Sequence, residues 1–574
     1  MSFFSHCLII LLLVSIAFAH SLDEWRTRSV YQIVTDRFAL DDDMKERIIC
    51  DPIRSIYCGG TWNATKKHLD YIQELGFDAV WISPVFANID GNDNIGEAYH
   101  GYWTKNIYQL NAHFGTEEDL LSLIDELHRR DMWIMMDIAI NSMAVAGPIT
   151  PHSFKEHVPF NNPSYYHPLC WVDYELLDIK NLQDCWLGDE RIALADVDTE
   201  NPVVVEKLER WIKDFVEEFH VDALRLDAVK HAPNEFWKKI AASAGVFTIG
   251  EYFTGSPKEA CEYQKSGMDS FLNFPLYWPI SWAFNRTGME FDALKYAIDQ
   301  ERGNCSDVTV LGTFISNHDL PRIAHNNTDQ ARVMGAITFN FMFDGIPFVY
   351  YGTEQNLHSY HDPFNREPLW EYGYDTKNPY YSLIRTMNNF RKQVIKDDSE
   401  YVKRISHILK TKRKYMVFQK GDVITVTGNW GVHSPEGLTI QFMPDNFRQG
   451  TELIDIISRE KFKVNARNTL LVPIKNGFPR VLYPANKFKE SLPQVNCTLL
   501  PEVKFVPSVT VTTHYVKPPT TMPEGYPKGH HPSIYAIAVE RSGQSFSLPP
   551  AQILIQFVLI LFLAQLVAFV TLVL

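Results

Sequence analysis

Apolar residues along this chain gather in short runs separated by longer amphipathic stretches. Residues 30–34, 79–82, 133–137, 223–226, 247–250, 269–272, 311–315 and 346–350 read as strands. The stretches 66–75 and 120–130 read as helices between them. Residues 201–219 place Val204, Leu208, Trp211, Ile212 and Phe215 on one face at the 3.6-residue period of a helix. Eight short strands alternating with helices predict a parallel α/β architecture closed into a (β/α)8 TIM barrel, formed by residues 20–141 and 197–395. The interval 142–196 is too long for an ordinary connection and is rich in aromatics, Pro and Asn, so it reads as a subdomain inserted after strand three. From residue 396 the pattern changes to short β runs with turns, at 416–418, 423–426, 438–442, 453–457 and 469–472. They predict a C-terminal antiparallel β-sandwich domain over 396–485. Residues 486–545 are rich in Pro and Thr and read as an extended stalk.

The two ends carry targeting patterns. Residues 8–18 form an apolar run too short for a comfortable membrane span, and Ala17-Phe18-Ala19 is a small-x-small cleavage signal. Residues 1–19 therefore read as a signal peptide. Residues 553–574 are apolar and uncharged, with no Lys or Arg after them. Small residues Ser542 and Gly543 precede a short spacer, so 546–574 reads as a GPI-attachment signal with either residue as the attachment point, against the alternative of a retained span. Secretion to the outer face of the plasma membrane, or to the cell wall, is the expected localisation. Cysteine spacing agrees with an oxidising compartment: Cys50/Cys58, Cys170/Cys185 and Cys261/Cys305 are close pairs suited to local bridges, and Cys497 is left over. Glycosylation acceptor triplets start at Asn63, Asn285, Asn304, Asn326 and Asn496.

Polar residues interrupt the apolar pattern where a parallel barrel places its site, just past the strand ends. Asp137 and Asn141 follow strand three, Asp227 strand four, Glu251 strand five, and His318 with Asp319 strand seven. Arg225 and Asp227 are two apart and point to the same side of a strand. An aspartate beside an arginine that keeps it ionised can be a nucleophile or half of a structural ion pair; acids at four strand ends favour chemistry. A formal net charge of −15 in 574 residues argues against nucleic acid as a partner and fits a neutral or cationic ligand.

Several strings carry a resemblance: Tyr99-His-Gly-Tyr-Trp103, Met135-Met-Asp-Ile-Ala-Ile-Asn141, Cys185-Trp-Leu-Gly188, Asp222 through His231, Ile249-Gly-Glu251, Thr313-Phe-Ile-Ser-Asn-His-Asp319 and Asp362-Pro-Phe-Asn-Arg366. Over about residues 25–483 the chain resembles the fungal α-amylases of the large retaining glycoside hydrolase family that acts on α-glucans. The resemblance implies Asp227 as nucleophile, Glu251 as acid and base, and Asp319 as stabiliser of the transition state. It implies sugar contacts from Tyr102, Trp103, Arg225 and His318, an acceptor side lined by Lys230 and His231, and a donor side at Asp362 and Arg366, unless these two only pair with each other. It also implies a structural Ca2+ at Asn141 and Asp196, with main-chain oxygens from Gln183 and His231. The implied partner is an α-1,4-glucan or maltooligosaccharide, with cell-wall polysaccharide as its setting and a monomer as the expected state.

One departure bears on function. Relatives usually have Asp-Val-Val-Ala-Asn-His where this chain has Asp137-Ile-Ala-Ile-Asn-Ser142, so Ser142 replaces a sugar-binding histidine. The same swap, joined to a GPI signal, is similar to a cell-wall subgroup that favours glucan transfer. The sequence therefore leaves three readings: an α-1,4-glucan hydrolase, a 4-α-glucanotransferase, and a catalytically silent glucan-binding wall protein, which the intact acids disfavour.

Overall fold

The computed structural model describes residues 20–42, 50–91, 96–150, 152–176, 178–285, 291–325 and 327–500. The signal peptide, most of the Pro/Thr stalk, Ser542, Gly543, the apolar tail and Asn326 lie outside the described residues, as does the side chain of Asn285.

Eight strands form one parallel sheet: β1 Val30–Ile33, β2 Ala79–Ile82, β3 Trp133–Ile138, β4 Ala223–Leu226, β5 Phe247–Gly250, β6 Ser270–Phe271, β7 Gly312–Thr313 and β8 Ile346–Tyr350. Their order is β6-β5-β4-β3-β2-β1-β8-β7, and a parallel bridge between Leu272 and Gly312 closes the ring. The expected strands at 269–272 and 311–315 are shorter than predicted, because only Ser270–Phe271 and Gly312–Thr313 form strands. The expected helix at 66–75 is two helices, Trp62–Lys67 and Leu69–Glu74, meeting at His68.

Strand alternation divides the core in two. Val30, Ala79, Trp81, Trp133, Met135, Ala223, Phe247, Ile249 and Phe348 fill the barrel interior. Their neighbours Tyr31, Ile33, Val80, Ile82, Ile134, Met136, Leu224 and Leu226 pack outward with helices such as Glu117–Arg129 and Pro202–Phe219. The same period continues past the last apolar residue of each strand. It directs Gln32, Asp137, Arg225, Asp227 and Glu251 inward at the carboxyl end, where the hydrophobic filling stops.

The inserted segment holds a small antiparallel sheet of Ser142–Ala146, Leu187–Gly188 and Ile192–Asp196. A further hairpin, Phe86–Asn88 with Thr104–Leu110, follows β2; its short irregular ladder left no pattern in the sequence. The C-terminal region has a six-stranded antiparallel sheet and a two-stranded one, Thr439–Phe442 with Leu470–Pro473. Three disulfides join Cys50–Cys58, Cys170–Cys185 and Cys261–Cys305, while Cys497 is free. Among the described residues no helix is long and apolar enough to cross a membrane.

Candidate active site

Arg225 is the hub. Its side chain is 1% exposed. Nη1 lies 2.6 Å from Asp137 Oδ1 and 2.6 Å from Asp227 Oδ1, and Nη2 lies 2.5 Å from Glu251 Oε2. Three carboxylates from the ends of β3, β4 and β5 therefore share one guanidinium, whose planar fork can hold them at once. The chain turns sharply after Asp227: Ala228 takes φ 50°, unusual for a residue with a side chain, and points its N–H at Glu251 Oε2, 3.1 Å away.

The three acids have unlike surroundings. Burial raises Glu251 well above the usual carboxylate range, with the charges of Asp227 and Asp319 adding to it and Arg225 opposing. Burial pushes Asp137 up to about 6, against Arg225. Asp137 also accepts hydrogen bonds from Trp81 Nε1 at 3.0 Å and Tyr102 Oη at 2.7 Å. Asp319 is raised by burial and held back by Arg366 and Arg225. It lies 3.1 Å from His318 Nε2 and 3.3 Å from Arg366 Nη2.

His318 joins the clusters. Its Nε2 is 2.8 Å from Tyr102 Oη, and its ring lies parallel to that of Tyr102 with centroids 5.4 Å apart. Arg366 pairs with Asp362 at 3.0 Å and also donates to the His318 carbonyl. Asp227, Glu251, Asp319, Tyr102, Arg225, His318, Asp362 and Arg366 thus belong to one continuous polar network. Trp103 packs edge-on against His100, at 5.0 Å between centroids. Lys230 faces Glu259 at 3.9 Å, and its ammonium is directed to that carboxylate. Gln32, Trp81 and the backbone N–H of Ala228 also belong to the network; Gln32 and Trp81 sit inside apolar-looking runs, so only the inward parity of their strands could have marked them.

The residues expected around Ca2+ occur in two linked pairs. Asn141 O accepts from Val197 N beside Asp196, and Gln183 Nε2 donates to Ala232 O beside His231. His231 Nδ1 meets Leu182 O at 2.9 Å, so the insert and the β4 exit touch there. Asp196 is 2% exposed, burial raises it to about 7, and its side chain meets His167 Nδ1 at 2.7 Å. A second set of possible donors, His167, Asp184 and Glu200, lies with ligand atoms within 4.8 Å of one another; nothing in its sequence spacing marked it.

Residues 32–421 match the family described as "Alpha amylase, catalytic domain", and residues 408–492 match "Alpha-amylase, domain C". "Alpha-amylase 2" of Schizosaccharomyces pombe is 59% identical over 513 residues, 89% of this chain and 88% of that protein. The solved alpha-amylase of Malbranchea cinnamomea superposes with a TM-score of 0.79 at 37% identity, over 82% of this chain and 99% of that one. The cyclomaltodextrin glucanotransferase CldA superposes with a TM-score of 0.69 at 26% identity, over 79% and 98%. A catalytic-domain match that begins inside β1 and runs through β8, together with an alpha-amylase relative aligned along nearly the whole chain, shows that this protein belongs to the alpha-amylase family of retaining glycoside hydrolases, which cleave α-1,4-glucosidic bonds in α-glucan.

Proposed function

We propose that Asp227, Glu251 and Asp319 divide the double displacement between them. Retention needs two carboxyl groups about 5–5.5 Å apart, one ionised to attack and one protonated to donate. Asp227, ion-paired to Arg225, attacks the anomeric carbon as nucleophile. Glu251, kept protonated by burial and by its acidic neighbours, gives its proton to the leaving glycosidic oxygen. It then takes a proton from water as the glycosyl-enzyme is hydrolysed. Asp319, hydrogen-bonded by Arg366 and 3.1 Å from His318 Nε2, faces the positive charge that develops on the sugar ring. The observation that carries this reading is the single guanidinium of Arg225 bonded to both Asp227 and Glu251 while burial raises Glu251. Tyr102, Trp103 and His318 line the cleaved sugar's subsite, Lys230 and His231 the acceptor side, and Asp362 with Arg366 the donor side.

The test is incubation of the ectodomain, residues 20–542, with maltooligosaccharide of a single length. Shorter products only are expected, and none from Asp227→Asn. Longer products beside the shorter ones would make a sugar the acceptor; Ser142 and the likeness to a glucanotransferase structure favour that second reading. Binding without any product would refute catalysis.

Alpha-amylases bind calcium, and the site proposed for it here lies between barrel and insert. Asn141, Asp196 and the main-chain oxygens of Gln183 and His231 form an oxygen-only set, which suits calcium. The fit is supported by Asp196, a buried acid raised to about 7 whose nearest cation is one histidine. A bound cation would supply the missing charge and tie the insert to the β4 exit. A GPI anchor at Ser542 or Gly543, holding the enzyme on the cell surface, is supported by the apolar, uncharged run 553–574 after small residues. Release of the protein from cells by a phosphatidylinositol-specific phospholipase is expected; retention after treatment would reject it.

A further inference from the structure

Gln32 is the polar side chain that β1 directs into the barrel and is 4% exposed. It sits between Trp81 of β2 and Tyr350 of β8 in the barrel ring. Its side-chain nitrogen lies 2.8 Å from His318 Nδ1. The proton positions around this contact follow from the neighbours. Arg225 holds Asp137 Oδ1, and Trp81 Nε1 donates to Oδ2. The single Tyr102 proton therefore goes to Asp137 Oδ2, 2.7 Å away, leaving a hydroxyl lone pair toward His318 Nε2. Asp319 Oδ2, a second acceptor, also faces Nε2 at 3.1 Å. Two acceptors against one ring nitrogen require that Nε2 carry the proton.

His318 is also neutral, because burial lowers it well below the usual histidine range and the charges of Arg366 and Arg225 lower it further. The buried ring of His100, which accepts from Tyr102 N, is the remaining titratable neighbour. With one proton, on Nε2, the Nδ1 atom is bare. It needs a donor that cannot itself accept the ring proton, and the amide N–H of Gln32 is that donor.

We propose that Gln32 is a positioning residue of the active site, which fixes His318 in the neutral tautomer whose Nε2–H is aimed at Asp319 and the sugar subsite. The inference rests on the role given to Asp319 above. The hydrogen bonds that the side chains of Asn365 (Nδ2) and Arg366 (Nε) donate to the His318 carbonyl fix where the ring hangs, and Gln32 fixes which nitrogen is protonated.

Two nearly isosteric variants separate tautomer control from packing. Gln32→Met keeps the volume and removes the N–H. Its kcat should fall about tenfold, the worth of one hydrogen bond at the reacting centre, with KM within about twofold and melting temperature unchanged. Gln32→Glu offers a carboxylate that favours a proton on Nδ1. At low pH the imidazolium still donates from Nε2. As pH rises the Nε2 proton leaves, its lone pair meets Asp319 and Tyr102, and activity falls. The alkaline limb of the kcat/KM profile should therefore move to lower pH than in the unsubstituted enzyme. Both variants keeping the original kcat and pH profile would overturn the proposal, as would losses that track the folded fraction alone. A third measurement needs no variant at position 32 to fold and does not depend on turnover. In 15N-histidine-labelled enzyme, with His318 assigned by its absence in His318→Asn, Nδ1 should resonate as a bare imine nitrogen and Nε2 as a protonated one. The reverse pattern would refute the tautomer while leaving the roles of Asp227 and Glu251 standing.

Discussion

Arg225 Nη1 stands 2.6 Å from Asp227 Oδ1 and equally 2.6 Å from Asp137 Oδ1, so one nitrogen serves both the proposed nucleophile and a fully buried acid. The other nitrogen of the fork holds Glu251. A lysine at this position is a compact point charge and cannot bridge three carboxylates at once. Arg225→Lys should therefore lower kcat/KM by about a hundredfold or more, because the charge is kept but Asp227 and Glu251 lose the fork that aligns them. Steady-state kinetics on a defined maltooligosaccharide, with circular dichroism to confirm folding, checks this. A loss below about tenfold would show that the acids are aligned without the fork.

The pH dependence follows from Glu251. In the proposed role of acid in the first step it must be protonated, and its folded pKa is raised, first by burial and then by Asp227 and Asp319. Activity is therefore lost as pH rises through that raised value. Asp319→Asn removes one of the charges that raise it. In the residual activity of that variant the alkaline limb should shift toward lower pH, since Glu251 then ionises more easily. A limb that stays in place would assign it to another group.

Much of this site was legible in the sequence because barrel geometry turns strand parity into position. Asp137, Arg225, Asp227 and Glu251 stand where apolar runs stop, and a parallel barrel gathers all strand ends into one mouth. Gln32 was not legible: it lies inside an apolar run, and its role depends on His318, far away in sequence. The His167, Asp184 and Glu200 group was hidden for the same reason, since the insert folds back on itself before these donors meet. The strands of the insert were missed because Ser142–Ala146 and Ile192–Asp196 are covered on both faces and show no alternation, and the hairpin after β2 was missed because its register is broken. The fork between hydrolysis and transfer is a matter of acceptor chemistry, which no strand pattern records.

Glu301 provides a stability test away from the site. It lies on helix Phe291–Asn304, 4% exposed, with Oε1 unpaired and the Asp344 charge nearby. Burial raises it from 4.5 to about 8. Below 4.5 it is protonated folded or unfolded. Between the two values the folded state keeps a proton that the unfolded state releases. Stability thus falls as pH rises, by up to about 1.4 kcal/mol per pH unit, and levels off above about 8. Glu301→Gln removes that slope, so its gain in melting temperature should be larger at pH 8 than at pH 5. An equal effect at both values would show that Glu301 does not titrate in this window.

Calcium removal tests the junction of barrel and insert. A ligand that binds only the folded state stabilises it by RT ln(1 + [L]/Kd), about 2.7 kcal/mol at a hundred times Kd. A chelator should lower the melting temperature of the unsubstituted protein and leave that of Asp196→Ala nearly unchanged, because that variant has no side-chain oxygen to offer the ion. Restoration by Ca2+ but not by Mg2+, which demands a tighter octahedron, is the expected pattern. Equal melting with and without chelator would remove calcium from the proposal.

The proposed choice between water and sugar as the final acceptor can be tested at Ser142. It directly follows Asn141, opens the first strand of the insert and pairs across the ladder with Asp196. A histidine at this position could donate to the sugar in the cleavage subsite; a serine is too short to make the same contact. Losing one hydrogen bond to a buried partner costs roughly 1–3 kcal/mol, or about five- to a hundredfold in rate, without touching the nucleophile or the acid. A slower hydrolytic step lengthens the life of the glycosyl-enzyme and gives a sugar acceptor time to bind. Ser142→His should therefore raise the rate of hydrolysis by about tenfold and lower whatever share of the products exceeds the starting maltooligosaccharide in length. Chromatographic product profiles at matched conversion measure both. If the profile is unchanged while the histidine variant folds normally, acceptor choice is set by the walls of the acceptor side, around Lys230 and His231, and not at Ser142.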